Sequence, residues 1–262
     1  MIAKHGHETK QEHEIAPGAR PVGSPDLSPV AAAANVQGMF NNIAGRYDLL
    51  NHILSAGIDR LWWWRAARRF RTTLARPEAR ILDLCCGTGD MTRALGKWRP
   101  STPSTVPILA VDFSHNMLSL GSRKYNRKNM LWIEADALHL PLASSSTDLI
   151  SSAFGFRNLV SYEEGLAELF RVLRPGGQFG ILDCNQPSGL VGAAYNLYFK
   201  RILPRIGGLF SNAAAYTYLP ASVERFPRPP RMLSMIEAAG FRDGSWTSYT
   251  LGVAGLYVAT KP

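Results

Sequence analysis

The stretch Ile81-Leu82-Asp83-Leu84-Cys85-Cys86-Gly87-Thr88-Gly89-Asp90 decides the fold. Its apolar half reads as a buried strand that carries Asp83 to its tip. Gly87 and Gly89 then allow a tight turn into a helix opening at Asp90, and small residues in that turn let a ligand approach the backbone and the helix N-terminus. A Gly-x-Gly after a strand is weak evidence on its own. The dinucleotide version expects a third glycine three residues after the second, and this chain has Thr92 there. That departure lowers the weight of a nicotinamide or flavin ligand.

Working outward, short apolar runs alternate with helix-period stretches. Ile81–Cys86, Ile108–Val111, Leu131–Ala135, Leu149–Phe154 and Phe179–Leu182 read as strands; Asp90–Trp98, His115–Asn126 and Ser161–Leu173 read as helices. In the last, Ser161 and Glu164 suit a capping box and Pro175-Gly176-Gly177 supplies a stop. Such alternation implies right-handed crossovers and a mostly parallel sheet covered on both faces. Asp112 ends the second strand, about twenty residues beyond Gly89, where a carboxylate can accept from two ribose hydroxyls. The third strand leads into Asp136-Ala137, where the carboxylate can accept from an adenine amino group and the amide can donate to a ring nitrogen. S-adenosylmethionine (SAM) has a ribose and an adenine but no pyrophosphate, and it suits this arrangement.

The 262 residues are 46% hydrophobic and 19% charged, enough to bury a core. No apolar run approaches the ~18–20 residues that cross a bilayer, and the N-terminus has no signal-like apolar region. Three cysteines cannot form a disulfide framework, which fits a reducing cytoplasm. Residues 1–35 carry few large apolar side chains and four spaced prolines, so a disordered tail is expected, its His5, His7 and His13 solvated. The domain then spans 36–262. It includes a helical cap (36–76), whose second helix is expected over Asp59–Arg76, and an aromatic-rich insertion (187–227) on the substrate side. A net charge of +9 favours anionic surfaces without choosing between nucleic acid and lipid.

From about Val36 to the end, the chain resembles the menaquinone/ubiquinone biosynthesis C-methyltransferases, which are class I SAM-dependent enzymes. The resemblance rests on MFNNIAGRYDLLNHILSAGIDRLWWWR, ILDLCCGTGD, VDFSHNML, EADALHLP, FGFRN, ELFRVLRPGG, LPRIGGLFSN, YLPASVERFP and MIEAAGF. It implies a Rossmann-like α/β fold, doubly wound, with a mostly parallel seven-stranded sheet and an antiparallel edge hairpin. It also implies SAM held against Thr88, Asp112, Asp136 and Ala137, with Asp83, Gly87 and Gly89 completing the cofactor site, and S-adenosylhomocysteine as product. Two departures stand out. Ala153 replaces a serine found before Phe-Gly in some members, and Asp183-Cys184-Asn185-Gln186-Pro187 stands where Glu-Phe-Ser-x-Pro is common.

The implied reaction is C-methylation of a reduced, polyprenylated demethylmenaquinol, with no metal required. The oxidised quinone is electron-poor and a weak nucleophile. Arg157 is the expected partner for charge on the quinol oxygen, because a guanidinium stays protonated; a structural ion pair is its alternative. Asn158 is expected to orient the quinol. Tyr47 and His52 come from the N-terminal helix, which in this family closes over the cofactor, and His52 has a suitable ordinary pKa, ~6.5, for a base. Asp48 is a further candidate. Consecutive helical residues lie ~100° apart, so Trp62-Trp63-Trp64 cannot all face one core. With Arg60, Arg65, Arg68, Arg69 and Arg71 beside them, the helix over 59–76 suits peripheral contact with the inner face of the cytoplasmic membrane. A solvated arginine face is equally compatible. A ubiquinone-pathway benzoquinol, another lipid, and a basic RNA-binding module with a vestigial pocket are the competing readings. No nucleic acid is expected, since no RNA-binding aromatic motif accompanies the arginines, and the sequence leaves an oligomer open.

Overall fold

The computed structural model describes residues 29–55, 57–100, 106–125, 129–187, 189, 192–193, 197 and 213–262. The side chains of 29–30, 43, 46–54, 213–217 and 219 lie outside that description. The expected tail is therefore outside it up to residue 28, as is most of the expected insertion.

Seven strands form one sheet: β1 (Ile81–Leu84), β2 (Ile108–Asp112), β3 (Met130–Glu134), β4 (Thr147–Ala153), β5 (Leu173–Cys184), β6 (Arg242–Tyr249) and β7 (Ala254–Thr260). Their spatial order is β3-β2-β1-β4-β5-β7-β6. The first five are parallel, and β7 runs antiparallel to both β5 and β6. The order reverses at β1, which pairs β2 on one side and β4 on the other. Such a switch point opens a crevice beyond the strands' carboxyl ends.

All four residues of β1 are buried, and successive ones serve opposite faces. Ile81 joins Trp62, Phe70, Leu74 and Leu95 beneath α2 (Asp59–Arg69), α3 (Arg71–Leu74) and α4 (Asp90–Gly96). Leu82 and Leu84 join Phe156, Leu166, Leu169 and Phe179 on the other face. α5 (His115–Lys124) crosses from β2 to β3. On the Leu82 face lie α6 (Tyr162–Val172) and α8 (Pro229–Ala238), contributing Leu169 and Ile236. Ser161 caps α6 by accepting from the Glu164 N–H at 3.2 Å.

Two helices differ from expectation. α1 (Pro29–Leu54) opens well ahead of Val36. Proline suits a helix start, the run Ala31–Ala34 has the best helix propensity, and Ala32 is buried. A reading keyed to large apolar side chains passes over that run. The helix expected over Asp59–Arg76 breaks at Phe70 (φ −104°, ψ 16°), whose ring is buried against Gly180 of β5. At the end of the insertion region lies α7 (Ala213–Arg225).

Candidate active site

The switch-point crevice is a cleft of about 780 Å3, counting the part open to solvent. The ends of β1 to β4 contribute: Leu84, Cys85 and Gly87 at and after β1; Val111, Asp112 and Phe113 at β2; Ala135, Asp136, Ala137 and Leu138 after β3; Phe154, Gly155 and Asn158 after β4. Ala33, Val36 and Phe40 of α1 form a roof. That roof is fastened by hydrogen bonds: Gln37 Nε2 donates to the Phe113 carbonyl (2.5 Å), Ser114 Oγ to Asn41 Oδ1 (2.6 Å) and Asn116 Nδ2 to the Asn41 carbonyl (3.2 Å).

The two glycines of the loop do different work. Gly87 (φ +54°) borders the cleft, and a Cβ there would meet nothing within 4 Å. Gly89 (φ +86°) caps α4 away from the cleft, and a Cβ there would lie 2.4 Å from the Trp132 ring. Ligand approach is thus available at Gly87, whereas Gly89 serves packing. Thr88 is buried and forms no part of the cleft wall; its carbonyl faces Gly121 of α5. Asp83 is also off the wall. It is fully buried beneath the loop, with Oδ2 accepting from the Thr92 hydroxyl at 2.5 Å. Thr92, the residue in place of a third glycine, is therefore the partner of this carboxyl. Burial, followed by the charge of Asp112, pushes Asp83 up to about 7 despite the Thr92 bond.

Asp112 does border the cleft. Oδ2 accepts from the Gly87 N–H (2.8 Å) and Oδ1 from the Ser114 N–H (2.9 Å), so its carboxyl shapes the loop as well as facing a ligand. Burial pushes it up to about 6, against the pull of those backbone bonds. The helix cap is Ser114, not Asp112. Asp136 is largely in water and accepts from the Leu138 N–H at 2.9 Å; Ala137 beside it is buried. Cys85 borders the cleft, and burial and then the nearby carboxylates of Asp112, Asp183 and Asp83 raise its thiol pKa well above the usual range, which keeps it protonated.

The FGFRN segment leaves β4 through Phe154 (φ +58°) into a single 3-10 turn over Phe156–Asn158. For Arg157 the structure shows the ion pair that the sequence reading gave as the alternative. Its guanidinium does not line the cleft; it is buried, with Nη1 donating to Asp183 Oδ1 at 2.8 Å and to the Phe154 carbonyl. The Arg157 backbone N–H donates to Asp183 Oδ2 at 3.0 Å. Arginine in this low-dielectric spot needs a counter-ion, and the tip of β5 supplies it. The departing segment at 183–187 thereby acquires a role: Asp183 clamps the turn, and Asn185 Oδ1 accepts from the Tyr257 hydroxyl at 2.7 Å. Asn158 does reach the cleft, where its Oδ1 accepts from Tyr218 at 3.0 Å. The structure thus brings Gly87, Asp112, Asp136, Ala137 and Asn158 together. The backbone positions of Tyr47, Asp48 and His52 fall within α1, but their side chains lie outside the described residues.

Among residues not singled out from sequence, Phe113 and Met117 lie within VDFSHNML and supply the cleft's apolar side. Tyr218 opens the YLPASVERFP stretch that helped carry the resemblance, but nothing in that stretch assigns it to the cleft side. The three tryptophans diverge: Trp62 is buried with its Nε1 donating to Thr250 Oγ1 (2.9 Å), Trp63 is half-buried and Trp64 is 42% exposed under the Arg68 guanidinium.

The ubiE/COQ5 methyltransferase family model matches residues 29–261. A demethylmenaquinone methyltransferase of Deinococcus radiodurans is 46% identical over 230 residues, covering 86% of this chain and 92% of the relative. One of Thermus thermophilus is 42% identical over 228 residues, covering 86% of this chain and all of the relative. Among solved structures, the [4+2]-cyclase SpnF superposes with a TM-score of 0.64 at 16% identity, over 88% of this chain and 97% of its own. A SAM-dependent methyltransferase of Thermotoga maritima gives 0.61 at 16% identity, over 86% and 99%. At such identities the structural likeness speaks for the fold alone.

Proposed function

The chain belongs to the ubiE/COQ5 methyltransferase family, and from that premise we propose that it transfers the methyl group of SAM to a ring carbon of demethylmenaquinol, giving menaquinol. The observation that carries this reading is the convergence of Gly87, Asp112, Asp136-Ala137 and Asn158 on one roofed cleft. The cleft fits SAM by its own chemistry. Gly87 leaves open space beside the backbone, Asp112 offers carboxylate acceptance at the β2 tip, and Phe113, Met117 and Leu138 offer apolar walls.

When bound, SAM supplies a sulfonium-activated methyl group. Asp112 would accept from the ribose hydroxyls, Asp136 from the adenine amino group, and the Ala137 amide would donate to a ring nitrogen. Val36 and Phe40 exclude water from above. Asn158 hydrogen-bonds the quinol oxygen and points the ring carbon at the methyl group. Removal of that hydroxyl's proton raises electron density on the adjacent carbon; as the carbon–methyl bond formed, the sulfonium–methyl bond would break with S-adenosylhomocysteine as leaving group, and loss of the ring proton would restore aromaticity. His52, Tyr47 and Asp48 are the candidates for the proton acceptor. Arg157 acts through the turn it braces rather than on the substrate. Positioning of this kind contributes on the order of 7 kcal/mol or more. The polyprenyl tail of the substrate stays in the bilayer while α2 rests on its surface.

The test is methyl transfer from labelled SAM to demethylmenaquinone with and without prior reduction. Labelled menaquinol is expected with the reduced substrate only. No transfer to it, or preferential transfer to a benzoquinol, overturns the assignment.

A further inference from the structure

Asn158 is the cleft residue whose side chain has two chemically opposite ends, and which end meets the substrate decides what it does. An unpinned amide presents either a carbonyl or an N–H. Here the Tyr218 phenol, 5% exposed, donates to Oδ1 at 3.0 Å. With the Arg157 guanidinium paired to Asp183, the Asn158 amide is a donor available on this side of the cleft among the described residues. The geometry points to Tyr218 as a positioning residue: its hydroxyl holds Asn158 Oδ1 so that the Nδ2–H groups face the cleft and donate to the oxygen of the methyl acceptor as it gains charge. This rests on the quinol reading above.

α7 is built for this. Tyr218 and Arg225 are two helical turns apart and therefore share a face. Arg225 Nη2 donates to the carbonyls of Arg157 (2.6 Å) and Leu159 (2.9 Å), and its guanidinium lies over the Tyr162 ring at 4.9 Å. Asn158 is thus held by its side chain and by both flanking carbonyls from one helix. The Tyr218 ring also meets Phe40 of the roof edge-on at 6.4 Å and 84°. Closure of α1 over SAM and orientation of the amide therefore share one side chain.

Tyr218→Phe removes the hydroxyl and keeps the ring against Phe40. Removing one preorganised donor costs ~100-fold or more in kcat, which is the loss expected for Asn158→Ala; the indirect Tyr218→Phe should cost roughly 10-fold. SAM affinity should stay within about twofold in both, because the pair contacts the acceptor side. In the Asn158→Ala background, Tyr218→Phe should cost nothing further, since the two act as one unit. Wild-type kcat in Tyr218→Phe, or a fully multiplicative loss in the double variant, would reduce Tyr218 to packing and overturn the proposal. If the wild-type chain methylates no demethylmenaquinol, the quinol reading fails instead. The clamp is then judged by the same cycle read as melting temperatures: additive losses refute it and non-additive losses uphold it.

Discussion

Asp112 holds a carboxyl that burial raises to about 6, well above its ordinary 3.8. In the ligand-free fold the protonated form is favoured, so this group's contribution to stability grows as pH falls from about 6 towards 3.8 and is lost as pH rises through 6. A ligand that donates two hydroxyls reverses the preference, since hydrogen bonds to the charged form favour it. Affinity for S-adenosylhomocysteine should therefore fall roughly tenfold between pH 7.5 and pH 5, with a proton released on binding near pH 6. Calorimetry in buffers of different ionisation enthalpy reads both, and a flat pH profile in the wild type would remove the carboxylate from the ribose. Asp112→Ala should weaken binding by about 100-fold, because hydrogen bonds to a charged group contribute ~1.5–3 kcal/mol each. Asp112 was legible as the acid at a strand tip. Arg157 was legible as a candidate, with an ion pair as its alternative, but the partner was not legible, because Asp183 lies on β5, which the sequence separates from the FGFRN turn by the whole of α6. Truncating one partner of such a buried pair costs ~3–5 kcal/mol. Arg157→Ala should therefore lower the melting temperature, and lower turnover and SAM affinity together. A stable Arg157→Ala protein that loses turnover alone would return the guanidinium to the substrate.

At the scale of elements, the strand–turn–helix at 81–96 was readable because a short apolar run, broken only by Asp83, followed by glycines has few other solutions. Which glycine admits a ligand was not readable, since that depends on Trp132 arriving from β3. The two positions should respond differently to the same change. Gly89→Ala forces a methyl into the Trp132 ring, and overpacking of this kind costs ~1–3 kcal/mol on top of the strain at positive φ. Gly87→Ala meets open space and costs about 1–2 kcal/mol for its left-handed backbone. Yet Gly87→Ala should lose S-adenosylhomocysteine binding tenfold or more, while Gly89→Ala protein that remains folded keeps most of it. Denaturant melts and calorimetry on both variants check this, and equal affinity losses would mean that the cleft's ligand does not approach at Gly87. The start of α1 was missed for a related reason. Ala31–Ala34 favour a helix through propensity, but the periodicity that reveals amphipathic helices is silent in a run of alanines.

The whole molecule carries a net charge of +9, and among its described residues no helix is long and apolar enough to cross a membrane. A polyprenyl substrate then requires some surface that rests on the bilayer. Ile58, Leu61 and Trp64, at helical spacing at and beyond the start of α2, are 38%, 52% and 42% exposed, and the arginines 60, 65 and 68 around them are exposed as well. The adjoining, buried side of the same helix carries Trp62, whose ring lies 5.8 Å from that of Phe154 in the cleft wall. A helix so placed can lay its outer residues in the headgroup region while its inner side borders the methyl-transfer site, which gives a short path from bilayer to cleft. Each arginine near an anionic surface contributes ~1 kcal/mol, screened by salt, and the apolar residues add a salt-insensitive part. The chain should therefore cosediment with vesicles containing phosphatidylglycerol, release only partly at high salt, and show a blue shift in tryptophan emission on binding. Leu61→Glu with Trp64→Glu should abolish sedimentation and raise KM for vesicle-embedded quinol at least several-fold. SAM affinity should not change, because neither side chain borders the cleft. If the double variant keeps its KM for embedded substrate, the polyprenyl tail reaches the cleft past another face of the molecule.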